Sequence, residues 1–533
     1  MKKIRLLIIS SLIIIFIYSF RISFTPKFAG HHDNYWYLQV AKNFAQGKGL
    51  VDNTITFFYP QFDQIPHTIG DFWNPLGIII SGYIFKIFGF SDFVNKAQTI
   101  FIVYLLSVFI FFYCMKVYQD NLIAFFSSII FAVHQFSMSI GVGGIIPETY
   151  HLLFNTLFFY ISALSIVKDN KFFLVAGVLG GLAYLVRNES LFCCIVLVFI
   201  FFYKKYILKK EVSWKYLFLS IFLFLITILP WEIRNIILFG KEHNLSKYHI
   251  LFAKDYYSMH AFYEAPSLLK YIKDYLSLGI KMIIVRKIQS YYYNLNWAAE
   301  LMNWVILMFV PIGIIKSIKI KEYLPVYFYM VVTYFIMCFI NSTPQSGVWY
   351  GSYTSLVFII SISVSGCFYF GELLSNDKNV GRKIGFLLCS FIFLYFLTDN
   401  FKVYYKLKKI NFQNLSENYA LEIDNWIKNN VMIKDPIVMT YCPAVINFYT
   451  GIKTVSIPSN GIDVVKKIIK KYNCDLLILY SEKPNDELAK LYRGEEFIPW
   501  LNLVYEKSMS TGLPEDGGKI KIYKIVKEKM DIE

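Results

Sequence analysis

Apolar runs of membrane-spanning length recur along most of this chain, at 6–20 and then near 95–117, 120–141, 147–167, 172–186, 190–203, 216–232, 298–316, 323–341, 352–371 and 384–400. Crossing a hydrocarbon layer of about 30 Å takes about 20 residues of helix, because lipid offers an unpaired backbone group no partner. A succession of such runs constrains the chain to a polytopic α-helical membrane protein with about eleven crossings. Composition agrees. Hydrophobic residues make up 56% and charged residues 17%, against about 45–50% and about 25% in soluble domains. The run at 76–90 is shorter, carries Lys86 and is interrupted by Gly77, Gly82 and Gly89; it is expected to be re-entrant or interfacial.

The formal charge of +16 does not imply nucleic acid, because the basic residues cluster between apolar runs. Lys204, Lys205, Lys209, Lys210 and Lys215 share one loop; Lys316, Lys319 and Lys321 share another; Lys378, Arg382 and Lys383 share a third. The loops at 142–147 and 341–351 carry no Lys or Arg. Read by the positive-inside rule, the basic loops are cytoplasmic. The N-terminus, with its Met1-Lys2-Lys3-Ile4-Arg5 flank, is then inside and the run at 6–20 an uncleaved anchor in the plasma membrane. Residues 21–75, 235–297 and the C-terminal tail lie outside.

The chain divides into a transmembrane part, 1–411, and an extracytoplasmic tail, 412–533. In the tail, strand-like segments at 436–441, 453–457, 475–480, 503–506 and 519–523 alternate with helical ones at 415–429, 461–472 and 485–493. That order predicts a small α/β domain with a partly parallel sheet. No Gly-rich phosphate loop occurs there. Of the 8 cysteines only Cys442 and Cys474 fall in the tail, where pairing is left open by spacing alone. No CxxC pattern suggests structural zinc.

Chemistry-bearing residues concentrate at the outer face. Gly30-His31-His32-Asp33-Asn34-Tyr35-Trp36-Tyr37-Leu38 opens a helix predicted over 34–46, with Tyr35, Leu38, Ala41 and Ala45 on one face and Gly47 at its end. Such a helix is expected to lie flat on the membrane. Asp33 reads equally as a helix cap and as a general base, with His32 accessory. His67, Asp71 and Glu148 form a second group, a candidate site for a divalent ion facing a phosphate, although an acid after Pro147 also suits a helix start. Arg187-Asn188-Glu189 interrupts an apolar stretch, 172–203, that would be about 48 Å long as one helix. A hinge there brings Arg187 to the depth of lipid phosphates. An ionisable residue at such a place is a functional hypothesis, the alternative being internal neutralisation by Glu189 or a snorkelling Arg. Arg234, after Pro230-Trp231, is either a second phosphate ligand or a headgroup anchor.

These motifs resemble the GT-C superfamily of integral-membrane glycosyltransferases, in particular the branch of protein O-mannosyltransferase-like and lipid-A aminoarabinose transferase-like enzymes. The similarity rests on Asp33-Asn34-Tyr35-Trp36-Tyr37-Leu38, Gly47-Lys48-Gly49, Asn74-Pro75-Leu76, residues 177–187 (GVLGGLAYLVR), Pro230-Trp231 with Arg234-Asn235, and Met439-Thr440 through Tyr449-Thr450-Gly451. The resemblance implies an inverting transfer of a sugar from a polyprenyl-phosphate carrier to a hydroxyl of a glycan, lipid or protein acceptor. It assigns the base to Asp33, phosphate binding to Arg187 and Arg234, and a second acidic site to Glu148. Asn74 stands where many relatives carry an acid. A transporter or flippase of lipid-linked glycans, or a polymerase or ligase using a diphosphate donor, is the alternative expectation.

Overall fold

The computed structural model describes residue 17 and residues 32–58, 62–70, 73–138, 147–240, 243–253, 260–264, 267–340, 349–410, 415–480, 486–508 and 519–531. Apart from Ile17, the proposed anchor at 6–20 lies outside them, as do His31 and Asp71.

The N-terminal segment holds α1 (His32–Ala45), β1 (Val51–Asp52), β2 (Thr54–Ile55) and β3 (His67–Thr68), and leads into α2 (Leu76–Phe88). A helical bundle follows: α3 (Asp92–Tyr118), α4 (Asn121–Val133), α5 (Pro147–Val167), α6 (Phe172–Tyr184), α7 (Phe192–Phe202) and α8 (Trp214–Phe239). Then come α9 (Leu245–Phe252), α10 (Leu268–Leu276), α11 (Ile280–Met302), α12 (Val310–Ser317), α13 (Leu324–Ile340), α14 (Trp349–Leu374) and α15 (Lys378–Ile410). Among the described residues, six helical segments are long and apolar enough to cross a membrane: 92–118, 147–167, 188–207, 214–239, 355–374 and 378–402. At 13 residues, α2 reaches only about 20 Å and falls short of a crossing, as the glycine-interrupted sequence predicts. The expected span at 298–316 is not one helix. Asn303 takes a left-handed φ of 66° and caps a new turn by accepting from Val305 N.

Side-chain caps set several boundaries. Ser91 Oγ accepts from Val94 N at the start of α3, and Asp120 accepts from Leu122 N and Ile123 N at the start of α4. Glycines set the α6–α8 contact. A Cβ on Gly177 would lie 2.2 Å from the Ser220 carbonyl oxygen, and one on Gly181 2.7 Å from Thr227 Cβ. Small residues let two membrane helices approach this closely. Gly177→Val is therefore expected to force α6 off α8, a strain of about 1–3 kcal/mol or more. A lower unfolding temperature in detergent would register it; an unchanged one would refute the close-packing account.

The tail adds α16 (Leu415–Asn430), β4 (Ile437–Thr440), α17 (Pro443–Thr450), β5 (Lys453–Ser456), α18 (Ile462–Tyr472), β6 (Leu476–Leu479), α19 (Asp486–Arg493), β7 (Leu501–Ser508) and β8 (Lys519–Ile525). These strands match the predicted ones closely; α17 was not foreseen. The sheet order is β2-β5-β4-β6-β8-β7, parallel from β2 through β6 and antiparallel thereafter. Its edge strand, β2, comes from the N-terminal segment: Thr54 lies opposite Thr454 and Ile55 opposite Val455. Cys442 and Cys474 are free thiols, Cys474 buried in the domain core.

That junction corrects the reading of α1 as a helix lying on the membrane. Tyr35, Trp36, Tyr37, Leu38, Val40 and Ala41 are at most 2% exposed, and Asn34, Gln39 and Asn43 are buried as well. One side meets α2, where a Cβ on Gly82 would lie 2.5 Å from Phe44 Cδ1. Another meets α17, where Tyr35 packs against Phe448 and Tyr449 and the two tyrosine hydroxyls are 3.2 Å apart. The apolar stripe was genuine, but protein rather than lipid covers it.

Candidate active site

The site is organised by the break between α6 and α7. Arg187 is extended, at φ −148° and ψ 136°, and a 3-10 turn over Asn188–Leu191 leads into α7. Ending α6 frees carbonyls that need donors. Asn74 Nδ2 donates to Tyr184 O and, at 3.0 Å, to Asn188 Oδ1, while Leu76 N donates to Leu185 O at 2.9 Å. The Asn74-Pro75-Leu76 segment thus caps the broken helix. This explains Asn rather than an acid at position 74, since only the amide can donate. Asn74→Asp would set a buried acid against a carbonyl, at a cost of about 1–3 kcal/mol for the unmatched polar group alone. The expected result is a lower unfolding temperature in detergent, and an equal one would refute the cap.

The break aims Arg187 at two carboxylates. Nη1 donates to Glu148 Oε1 at 2.6 Å, and Nη2 and Nε fork onto Glu189 at 2.9 and 3.3 Å. All three side chains are 13–16% exposed. Glu148 occupies the first turn of α5, and Asp33, half-buried in the first turn of α1, is near enough for its charge to act on Glu148. Four sequence candidates, Asp33, Glu148, Arg187 and Glu189, are therefore one constellation. Arg187 is not a bare phosphate receptor but an ion-paired guanidinium holding two acids.

A polar network lies directly beneath. His151 Nε2 is 2.6 Å from Ser190 Oγ and receives a hydrogen bond from Asn155 Nδ2 at 2.7 Å. Beside the hinge, the Tyr184 hydroxyl donates to Glu232 Oε1 at 2.8 Å. Glu232 also pairs with His243 at 3.3 Å and Lys247 at 3.7 Å, joining α8 and α9 to the break. Sequence reading missed these groups, although His151 and Asn155 are discernible as polar residues one and two turns beyond Glu148.

The remaining candidates stand elsewhere. Arg234 donates to Ile69 O at 2.9 Å and Asn235 Oδ1 at 2.7 Å and stacks over Trp231; it fastens the segment before α2 to α8. His67 stacks on Phe62, and its two ring nitrogens lie 2.8 Å from the Thr54 and Thr68 carbonyl oxygens. Among the described residues it forms an ion-pair contact with Asp52, at 3.9 Å, and none with Glu148. The expected His67–Asp71–Glu148 grouping is thus not assembled from its described members. Among the described residues no group of three or more His, Cys, Asp or Glu is arranged to hold a metal ion. The His32 backbone begins α1.

Residues 74–232 match the family model described as dolichyl-phosphate-mannose-protein mannosyltransferase. No curated protein matches the sequence. Among solved structures, ArnT from Cupriavidus metallidurans bound to undecaprenyl phosphate superposes with a TM-score of 0.57 at 8% identity, covering 97% of each chain. The Archaeoglobus fulgidus oligosaccharyltransferase AglB in complex with an inhibitory peptide and a dolichol-phosphate gives 0.54 at 11% identity, over 94% of this chain and 73% of that one. The same archaeal enzyme tethered to an acceptor peptide gives 0.54 over 90% and 70%. These are GT-C glycosyltransferases, and the chain carries their fold, as the sequence resemblance implied. The particular family model it matches is the mannosyltransferase one, over the segment from Asn74 to Glu232 that contains the Arg187 hinge.

Proposed function

We propose that the protein is an inverting glycosyltransferase that moves a sugar from a polyprenyl-phosphate carrier to an acceptor hydroxyl at the outer face of the plasma membrane. The observation that carries this reading is the convergence of Asp33, Glu148, Arg187 and Glu189 at a helix break. Sidedness is supported by the basic residues. Lys204 and Lys210 meet the last turns of α5, at Ser165 O and Ile166 O, about 26 Å along the helix from Glu148. The polyprenyl phosphates named with the ArnT and AglB structures support the donor class.

In this mechanism the Asp33 carboxylate takes the proton of the acceptor hydroxyl. The oxygen attacks the anomeric carbon from the face opposite the phosphate, and the carbon–oxygen bond to phosphate breaks with its electron pair leaving on the phosphate. Arg187 offers its Nη1 edge to that developing charge, exchanging the single hydrogen bond to Glu148 and keeping its fork on Glu189. Charge stabilisation of this kind is a large catalytic contribution. Glu189 and the His151–Ser190–Asn155 network hold the hinge while Nη1 exchanges.

The deciding experiment measures transfer by purified protein in lipid, from polyprenyl-phosphate sugars, polyprenyl-diphosphate glycans and nucleotide sugars, for wild type and Asp33→Asn. Turnover of the monophosphate donor that collapses in the variant is the expected outcome. Transfer only from a diphosphate donor, or glycan binding without turnover, would replace this reading by the ligase or the transporter.

A further inference from the structure

Asp52 is a buried acid that the reaction above does not use. It is 3% exposed, yet all its partners are structural. The Trp36 indole Nε1 donates to Oδ2 at 2.5 Å. Thr54 donates to Oδ1 from both its backbone N and its hydroxyl, each at 2.8 Å. His67 faces Oδ2 at 3.9 Å across the β1–β3 ribbon, where Asp52 and His67 are register partners. Burial raises the carboxyl above its ordinary value, while the His67 imidazole and the Trp36 and Thr54 hydrogen bonds pull the other way. A carboxylate at this depth is costly to keep unless its geometry matters.

What it joins is informative. Trp36 stands one helical turn beyond Asp33 on α1, and its ring stacks on Trp73, 5.0 Å away and next to the hinge-capping Asn74. Thr54 begins β2, the edge strand of the C-terminal sheet. One carboxylate therefore grips the Asp33 helix with one oxygen and the C-terminal domain with the other. Alongside this grip, α1 meets the ribbon through Asn43 Nδ2, which donates to Val51 O at 2.9 Å, and α17 through the Tyr35 and Tyr449 hydroxyls, 3.2 Å apart. The segment between α1 and α2 bends back through a ribbon with only two residues per strand, so the ribbon's own hydrogen bonds fix little.

We propose that Asp52 is a positioning residue: through Trp36 and Thr54 it fixes the orientation of α1 on the C-terminal sheet, so that the C-terminal domain sets the aim of the Asp33 carboxylate. The consequence for activity rests on the proposed role of Asp33; the mechanical linkage does not. Displacing a reacting group by about 1 Å costs on the order of 10²-fold in rate, so losing the grip acts on turnover and not on donor binding.

The test compares Asp52→Asn, Trp36→Phe and the double variant in full-length protein. An Asn keeps the carbonyl oxygen for Thr54 but presents an amide to the indole; a Phe keeps the ring stack and removes the donor. Each single variant should lower kcat about 10- to 100-fold with the donor KM within about twofold, and the double variant should be no worse than either, since both cut one link. Hydrogen–deuterium exchange should rise across residues 32–45 and 54–55 in each, with 92–118 unchanged. Multiplying losses in the double variant, a raised donor KM at wild-type kcat, or wild-type exchange over 32–45 would each overturn the proposal. Should wild type transfer no sugar from any lipid donor, the functional reading fails while the exchange measurement still decides the linkage.

Discussion

Asp33→Asn is expected to reduce sugar transfer by about 10²–10⁴-fold, the usual contribution of a positioned general base. The substitution preserves volume and hydrogen-bonding capacity at the first turn of α1, so the helix and its packing on α2 and α17 should persist. A carboxamide cannot accept the acceptor's proton. Donor binding, measured with a polyprenyl phosphate, should therefore be retained within about twofold while kcat falls. A variant that transfers at the wild-type rate would reduce Asp33 to a helix-terminal acid, and the base would have to be sought among Glu148 and Glu232. The second of these is held by Tyr184, His243 and Lys247.

Arg187→Gln is expected to have the largest effect on stability and a comparable one on transfer. Removing the guanidinium leaves Glu148 and Glu189, at 14% and 16% side-chain exposure, facing each other with Asp33 near by. Losing one partner of a buried ion pair costs about 3–5 kcal/mol, and losing an electrostatic donor at a reacting centre costs about 10²–10³ in kcat. Arg187→Lys should fall between, because an ammonium cannot fork onto Glu189 while also reaching Glu148. Adding Glu148→Gln to Arg187→Gln should recover part of the unfolding temperature but none of the transfer. Recovery of both would mean that Arg187 acts only as a counter-ion, and no loss of stability would mean that the triad does not form in the membrane.

The legibility of these features followed their locality. The hinge was readable because charged Arg187 and Glu189 interrupt an apolar stretch too long for one crossing, a conflict contained within about 30 consecutive residues. The tail strands were readable because alternating short apolar segments and amphipathic helices carry their own period. The Arg187–Glu189 pair was readable because the two lie two residues apart; that Glu148 meets the other edge of the guanidinium depends on how α5 abuts the break. The same holds for Asn74. It was readable as part of an Asn-Pro-Leu motif, but its work as a donor to the Tyr184 carbonyl requires two segments over a hundred residues apart to meet.

By itself the sequence determined a polytopic helical protein, the short non-crossing run at 76–90, the broken helix at Arg187 and the α/β character of the tail. Each follows from hydrophobic length, helical period and the cost of charge in lipid, which act over neighbouring residues. The tertiary structure alone decided that α1 is buried instead of lying on the membrane, that β2 completes a sheet formed some 400 residues later, and that Asp52 ties the two together. Those outcomes depend on which surface arrives to cover an apolar stripe or an unpaired strand edge. Lipid, a helix face and a sheet edge all satisfy the same local pattern, and only the packing of distant segments chooses among them.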